Sequence, residues 1–316
     1  MKRSTLALAG LLLAAAPLIL ASPAMAGRME HKDSRTETKR FALAAVSGQR
    51  ELVVDNVIGS IDVKAGSGDA IEVTVKATYL AESAAELERA KREVELEVRE
   101  SAGRLELVQG GSWRCRGQRG QRDEYGGGER HDDGWKDGDG CGDPWDDRDY
   151  EVRFDWTLVV PKNLDLTVKS VNDGAIRVEG VTGRLRVRHV NDDVTLTHVA
   201  GRVDARTVNG ELKVDFTAQP QGESSFATVN GDIELGFPKN LGADLTFATL
   251  NGDVYTDFPF RLAPPPAPPA TAEREKSRDG RHRQELGRRT AATLGQGGVA
   301  IDCDTVNGDI TIRERG

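Results

Sequence analysis

Apolar residues alternate with polar ones in short runs along most of this chain, and the runs recur at a fixed interval. Leu185, Val194, Val203 and Leu212 are nine residues apart, as are Val187, Leu196, Ala205 and Val214. The positions between them are polar: Arg184, Arg186, Asp193, Thr195, Arg202, Asp204, Glu211 and Lys213. Alternation of this kind predicts strands with one buried face. Most runs are introduced by V-x-G-x-apolar. It reads VIGSI at 57–61, VTGRL at 181–185, VAGRV at 199–203, VNGEL at 208–212, and VNGDI at 229–233 and 306–310. VNDDV at 190–194 and LNGDV at 250–254 are variants. Asn and Gly supply the backbone conformations a tight corner needs. The expected repeat turns are therefore Asn172, Asn191, Asn209, Asn230, Asn251 and Asn307.

Two architectures fit a nine-residue step. In an antiparallel meander each Asn-Gly closes a hairpin. In a solenoid, two nine-residue half-coils make one rung of ~18–21 residues, and equivalent apolar positions stack. The second is the reading adopted: an all-β, solenoid-like repeat stack of short strands (β-helix or β-roll type). Arg184 then stacks on Arg202, and Asp193 on Glu211.

The remaining segments set the organisation. Residues 1–26 read as a signal peptide: Lys2 and Arg3, then LALAGLLLAAAPLILA, then SPAMA, with cleavage expected after Ala26. No cysteine lies near that cut to carry a lipid anchor, and no other run is long and apolar enough to span a bilayer. Residues 27–40 read as a flexible N-terminus. Residues 41–109 hold opening strands, a helical piece at 81–93 and a hairpin at 94–109. Residues 110–149 are a Gly/Asp/Arg-rich excursion and 150–260 the repeat core. Residues 261–295 are a Pro-rich charged excursion, and 296–316 contribute closing strands whose last member caps the stack.

Composition changes this picture little. With 51 acidic and 43 basic residues the formal net charge is −8, and loss of Lys2 and Arg3 makes it −10. That balance argues against a nucleic-acid binder. Export permits disulfides. Cys115 and Cys141 bracket a Gly-rich loop within the first excursion and are the candidate pair; Cys303 is left as a buried thiol.

The sequence contains no G-x-S-x-G, H-E-x-x-H, Walker-type or G-x-G-x-x-G motif, so the chain reads as non-enzymatic. His189 and His198 occupy equivalent repeat positions and are expected on different faces, lining the repeat and not forming a metal pair. Asp137, Asp139 and Asp143 are calcium candidates in a flexible loop. Arg148 stands where a helix-loop-helix calcium site needs Glu, and a solvated polyampholyte is the alternative. No other cofactor is expected. Residues 123–151 carry a net −9, and 273–289 carry seven basic residues against four acidic ones. The repeat shows mixed charges and no outward cluster, so recognition of an envelope protein or glycan is expected in the excursions.

The order of an exported start, opening x-G-x-I-x-V strands, a short charged helix and hairpin, a strand ending in VP, and serial VNGDI and VxGRL strands resembles a known family. It is the bacterial toast-rack family of adhesin-like β-strand-repeat proteins. The resemblance covers roughly 41–109, 150–260 and 296–316. It implies an all-β repeat fold in the cell envelope, periplasmic or secreted, without established catalytic residues. Relatives are associated with surface adhesion or envelope-stress signalling. A periplasmic partner in stress signalling and a β-helical polysaccharide-active enzyme are the alternative functions.

Overall fold

The computed structural model describes residues 29–42, 50–111, 149–263 and 290–315. Strands β1 (His31–Ala42), β2 (Glu51–Asp55), β3 (Ile61–Gly66) and β4 (Ala70–Ala81) precede helix α1 (Ala84–Glu93). The hairpin β5 (Leu96–Ser101) and β6 (Arg104–Gln109) follows, then β7 (Tyr150–Pro161). The repeat runs through β8 (Asp165–Lys169), β9 (Ile176–Glu179), β10 (Leu185–Arg188), β11 (Val194–Val199) and β12 (Val203–Arg206). It continues through β13 (Leu212–Phe216), β14 (Ser224–Ala227), β15 (Ile233–Pro238), β16 (Ala243–Ala248) and β17 (Val254–Thr256). Last come β18 (Phe260–Ala263), β19 (Thr290–Leu294), β20 (Val299–Asp304) and β21 (Ile310–Arg315).

Successive repeat strands alternate between two sheets. The first is ordered β1-β4-β7-β3-β9-β11-β13-β15-β21-β17 and the second β18-β19-β16-β20-β14-β12-β10-β8-β2-β6-β5. Strands two apart in sequence are parallel neighbours: Leu185 lies opposite Leu166 and Val203, and Val194 opposite Ile176 and Leu212. A hairpin meander requires antiparallel neighbours, so the Asn-Gly corners are solenoid corners. The inward side chains of both sheets form one core. Phe216 stacks on Phe237 at 4.9 Å and meets Phe226 edge-on at 6.2 Å.

Each residue of the T-V-N-G-D corner has a separate physical task. The Thr hydroxyl points inward and donates to a carbonyl of the preceding rung: Thr228 to Gly210 at 3.1 Å, Thr305 to Gly231 at 3.1 Å and Thr249 to Gly308 at 3.0 Å. The Asn amides form a continuous ladder. Asn191 donates to Asn172, Asn209 to Asn191, Asn230 to Asn209, Asn307 to Asn230 and Asn251 to Asn307, at 2.6–2.8 Å. Gly leaves room for the rung beneath: a Cβ on Gly231 would sit 2.0 Å from the Gly210 carbonyl oxygen. The Asp carboxylate accepts the backbone N–H of the next rung, as Asp232 does from Asp309 and Asp309 from Asp253, both at 2.8 Å. The ladder ends at Ile58, which has no side-chain amide to offer. Gln109 takes over there, accepting from Val57 N–H and Ile58 N–H and donating to the Val152 carbonyl.

Three expectations are corrected. Residues 31–42 are not a flexible terminus but a strand antiparallel to β4, with His31 opposite Ala81 and Ala42 opposite Ala70. They carry little apolar alternation because β1 is an edge strand, mostly solvent-exposed. The last strand does not cap the stack. β21 lies between β15 and β17, and β20 between β14 and β16, so the closing segment is inserted between two rungs that precede it in sequence. The second excursion is narrower than 261–295: β18 and β19 pair antiparallel, and β19 pairs with β16. The helix begins at Ala84, where the Ser83 hydroxyl accepts from Glu86 N–H at 3.2 Å.

Cys303 lies in β20 with 1% exposure, opposite Phe226 on one side and Phe247 on the other. Burial, reinforced by Asp304 and Asp302, pushes its thiol well above the ordinary value. The folded thiol therefore stays neutral where the unfolded one ionises. The stability it contributes is full below the ordinary thiol pKa and is lost as pH rises past it. In a chain carrying Cys115→Ser and Cys141→Ser, a thiol-exchange reagent at about pH 8 should leave folded Cys303 unmodified and label it only on unfolding. Labelling of the folded chain at the rate of a free thiol would show that β20 is not held in place.

Candidate functional site

The outward positions of β8, β10 and β12 form a three-by-three grid. The shared register aligns Asp165, Arg184 and Arg202 in one row. Thr167, Arg186 and Asp204 make the second row, and Lys169, Arg188 and Arg206 the third. Six of the nine are cationic and two are acidic, on a chain whose net charge is −8. Strand alternation causes this directly. The apolar Leu185, Val187, Val203 and Ala205 face the core, so the intervening residues face out.

Asp204 is the centre of the grid. Its carboxylate takes the guanidinium of Arg188, with Arg206 Nε at 3.5 Å and Arg186 Nε at 3.8 Å. Arg188 also donates to the Val187 and Asp204 carbonyls at 3.0 and 3.1 Å. Asp165 accepts the Arg184 backbone N–H at 2.8 Å. Among the described residues the side chains of Arg184, Arg202 and Lys169 make no ion pair, and all three are exposed. The first sheet differs. There Lys64 pairs with Glu179, Arg177 with Asp62 and Lys213 with Glu234, at 3.1–3.7 Å.

Beside the grid is an open hollow of about 410 Å³, lined by Glu51, Arg104, Asp165, Thr167, Arg184 and Arg186. The structure thus assembles a cluster of acidic and basic side chains on one outward face, contrary to the sequence expectation. Thr167 donates to Glu51 at 3.1 Å, and Arg104 pairs with Glu51 and Glu106.

The structure brings the six corner asparagines together. It keeps the two histidines apart. His189 follows β10 in the second sheet, buried, with Nδ1 3.1 Å from the Ser170 carbonyl oxygen, whereas His198 is exposed in β11 of the first sheet. Ala26, Cys115, Cys141, Asp137, Asp139 and Asp143 lie outside the described residues, as do 112–148 and 264–289. Among the described residues no group of three or more His, Cys, Asp or Glu is placed to hold a metal ion, and no helix is long and apolar enough to cross a membrane.

Residues 159–313 match the family model described as Toastrack DUF4097. This repeat region belongs to the toast-rack family. The match starts in β7 and ends in β21, so every T-V-N-G-D corner and the whole grid lie in the toast-rack region. No curated protein matches the chain. Among solved structures, a putative cell adhesion protein from Clostridium sporogenes is similar at 11% identity, over 90% of this chain and all of that one, with a TM-score of 0.40. A putative adhesin from Bacteroides fragilis is similar at 9% identity, over 89% of this chain and 97% of that one, with a TM-score of 0.37.

Proposed function

We propose that this toast-rack protein is a non-enzymatic binding and scaffolding component of the cell envelope, acting in adhesin fashion after export. One observation carries the reading: a stack fixed rung by rung through side-chain ladders displays an open, charge-rich sheet face. Rigid presentation of side chains over an extended surface suits attachment, because little ordering remains to be done on binding. The apolar start and small-residue cleavage pattern ending at Ala26 support export.

The test uses the chain beginning at Gly27. It should co-sediment with envelope fractions at low ionic strength and be released as salt screens the charges. Failure to bind any fraction at low salt overturns the reading. Replacing 264–289 by a short Gly/Ser linker should leave the circular dichroism and melting temperature unchanged, because β18 and β19 remain. A cut across the whole of 261–295 would remove β19 and lower both.

A further inference from the structure

We propose that the arginine grid on β8, β10 and β12 binds a linear carboxylated polysaccharide, a polyuronate laid along the stack axis; this rests on the binding function proposed above and names its ligand. The cation excess is not explained by folding. Like charges on adjacent strands repel, and the first sheet shows the balanced pairing that stability alone would favour. On the grid Arg184 stacks beside Arg202, and Lys169, Arg188 and Arg206 make a continuous cationic row.

The geometry selects an extended ligand. The cations lie in rows along the axis and do not converge on one point. Neighbouring strands are spaced at about 4.8 Å, close to the advance of one sugar unit in an extended pyranose chain. Only the row Lys169, Arg188, Arg206 has a cation on every strand, so the carboxylates that a twisted chain turns towards the sheet, at every second or third sugar, meet cations at multiples of the strand spacing. The guanidinium fork matches a carboxylate with two parallel hydrogen bonds, and Arg188 is already held by two backbone carbonyls and Asp204. The carboxylates of Glu51 and Asp165 in the adjoining hollow favour a glycan over a polyphosphate. They accept hydrogen bonds from sugar hydroxyls, which a phosphate chain lacks.

The test uses the chain from Gly27 and labelled sodium polygalacturonate as probe, with polyphosphate and uncharged dextran in parallel. Saturable binding to polygalacturonate is expected, weakening several-fold as NaCl rises from about 50 to about 200 mM. The triple variant Lys169→Gln, Arg184→Gln, Arg202→Gln should bind about tenfold or more weakly and melt as the parent does. A variant of equal charge change on the other sheet, Lys64→Gln, Arg177→Gln, Arg313→Gln, should stay within about twofold of the parent, and so should the 264–289 linker variant. If the grid variant melts lower, the single change Arg202→Gln, at an exposed and unpaired side chain, carries the comparison. Parent-like binding by the grid variants, or an equal loss in the other-face or linker variant, overturns the proposal. Binding of polyphosphate without polygalacturonate overturns the glycan assignment. Envelope binding that ignores the grid substitutions sinks this inference alone, whereas tight polygalacturonate binding without envelope binding sinks the envelope reading alone.

Discussion

A chain ended after Gly298 should lose the far end of its stack and melt roughly 10 °C or more below the parent. Removal of β20 and β21 strips β14, β15, β16 and β17 of parallel partners at once. It also removes Ile301, Ile310 and Ile312, each at most 1% exposed. Burial of an isoleucine side chain contributes about 1.5–3 kcal/mol, so the three together are worth about 5 kcal/mol or more. The rungs from β2 to β13 keep their partners and should hold their strand signal after the far end has opened, which would show as a second transition in thermal melts. A peptide spanning 296–316 added in trans should restore part of the loss. A truncated chain that melts as one transition at the parent temperature would show that the inserted strands are not integral to the stack.

The substitution Gly231→Ala should be among the most damaging single changes. The new methyl group would sit 2.0 Å from the Gly210 carbonyl oxygen, inside any acceptable contact. That oxygen is backbone, already engaged by the Thr228 hydroxyl, so the clash cannot be relieved by a side-chain rotation. At φ +155, backbone strain adds about 1–3 kcal/mol, and the total should reach roughly 4 kcal/mol, in the exceptional tail of single substitutions. Asp192 gives the contrast. It occupies the same corner position, yet it stacks on a corner one residue longer: Asn172 pairs with Asn191, and Ile176 with Val194. Asp192→Ala should therefore lose only its hydrogen bond to Asp193 N–H, about 1 kcal/mol. Denaturant midpoints of the two variants check the ordering, and equal losses would refute the clearance argument.

The period-two alternation and the nine-residue step made the strands, the two sheets and the asparagine corners legible, because each is a local consequence of which side chains must face inward. β1 was illegible for the opposite reason: an edge strand in solvent has no buried face to mark it. The placement of β20 and β21 was hidden more deeply. VNGDI at 306–310 and LNGDV at 250–254 satisfy the same local rules, and nothing in a rung's own pattern says which neighbour it will stack on. The arginine grid follows from the repeat, since Arg184 and Arg202 must share a face once strands two apart are neighbours. The hollow beside it depends on β2 and β6 following β8 in the sheet. That pairing brings Glu51 and Arg104 against Thr167 and Arg184 across long stretches of chain.

The inserted closing segment also bears on how the chain comes into being. Synthesis delivers 243–256 before 299–312, so the nascent stack ends at β14 and β15 while the segment destined for the outer rung is already at hand. That segment reads T-L-N-G-D-V where the rightful occupant reads T-V-N-G-D-I, and it places Leu245 and Phe247 where Ile301 and Cys303 belong. Size is what distinguishes them: a phenyl ring in place of a thiol beside Phe226. The growing protein is thus offered a wrong answer in the right handwriting before the correct one has been written, and the slot beside β14 and β15 has to be open when the last rung arrives.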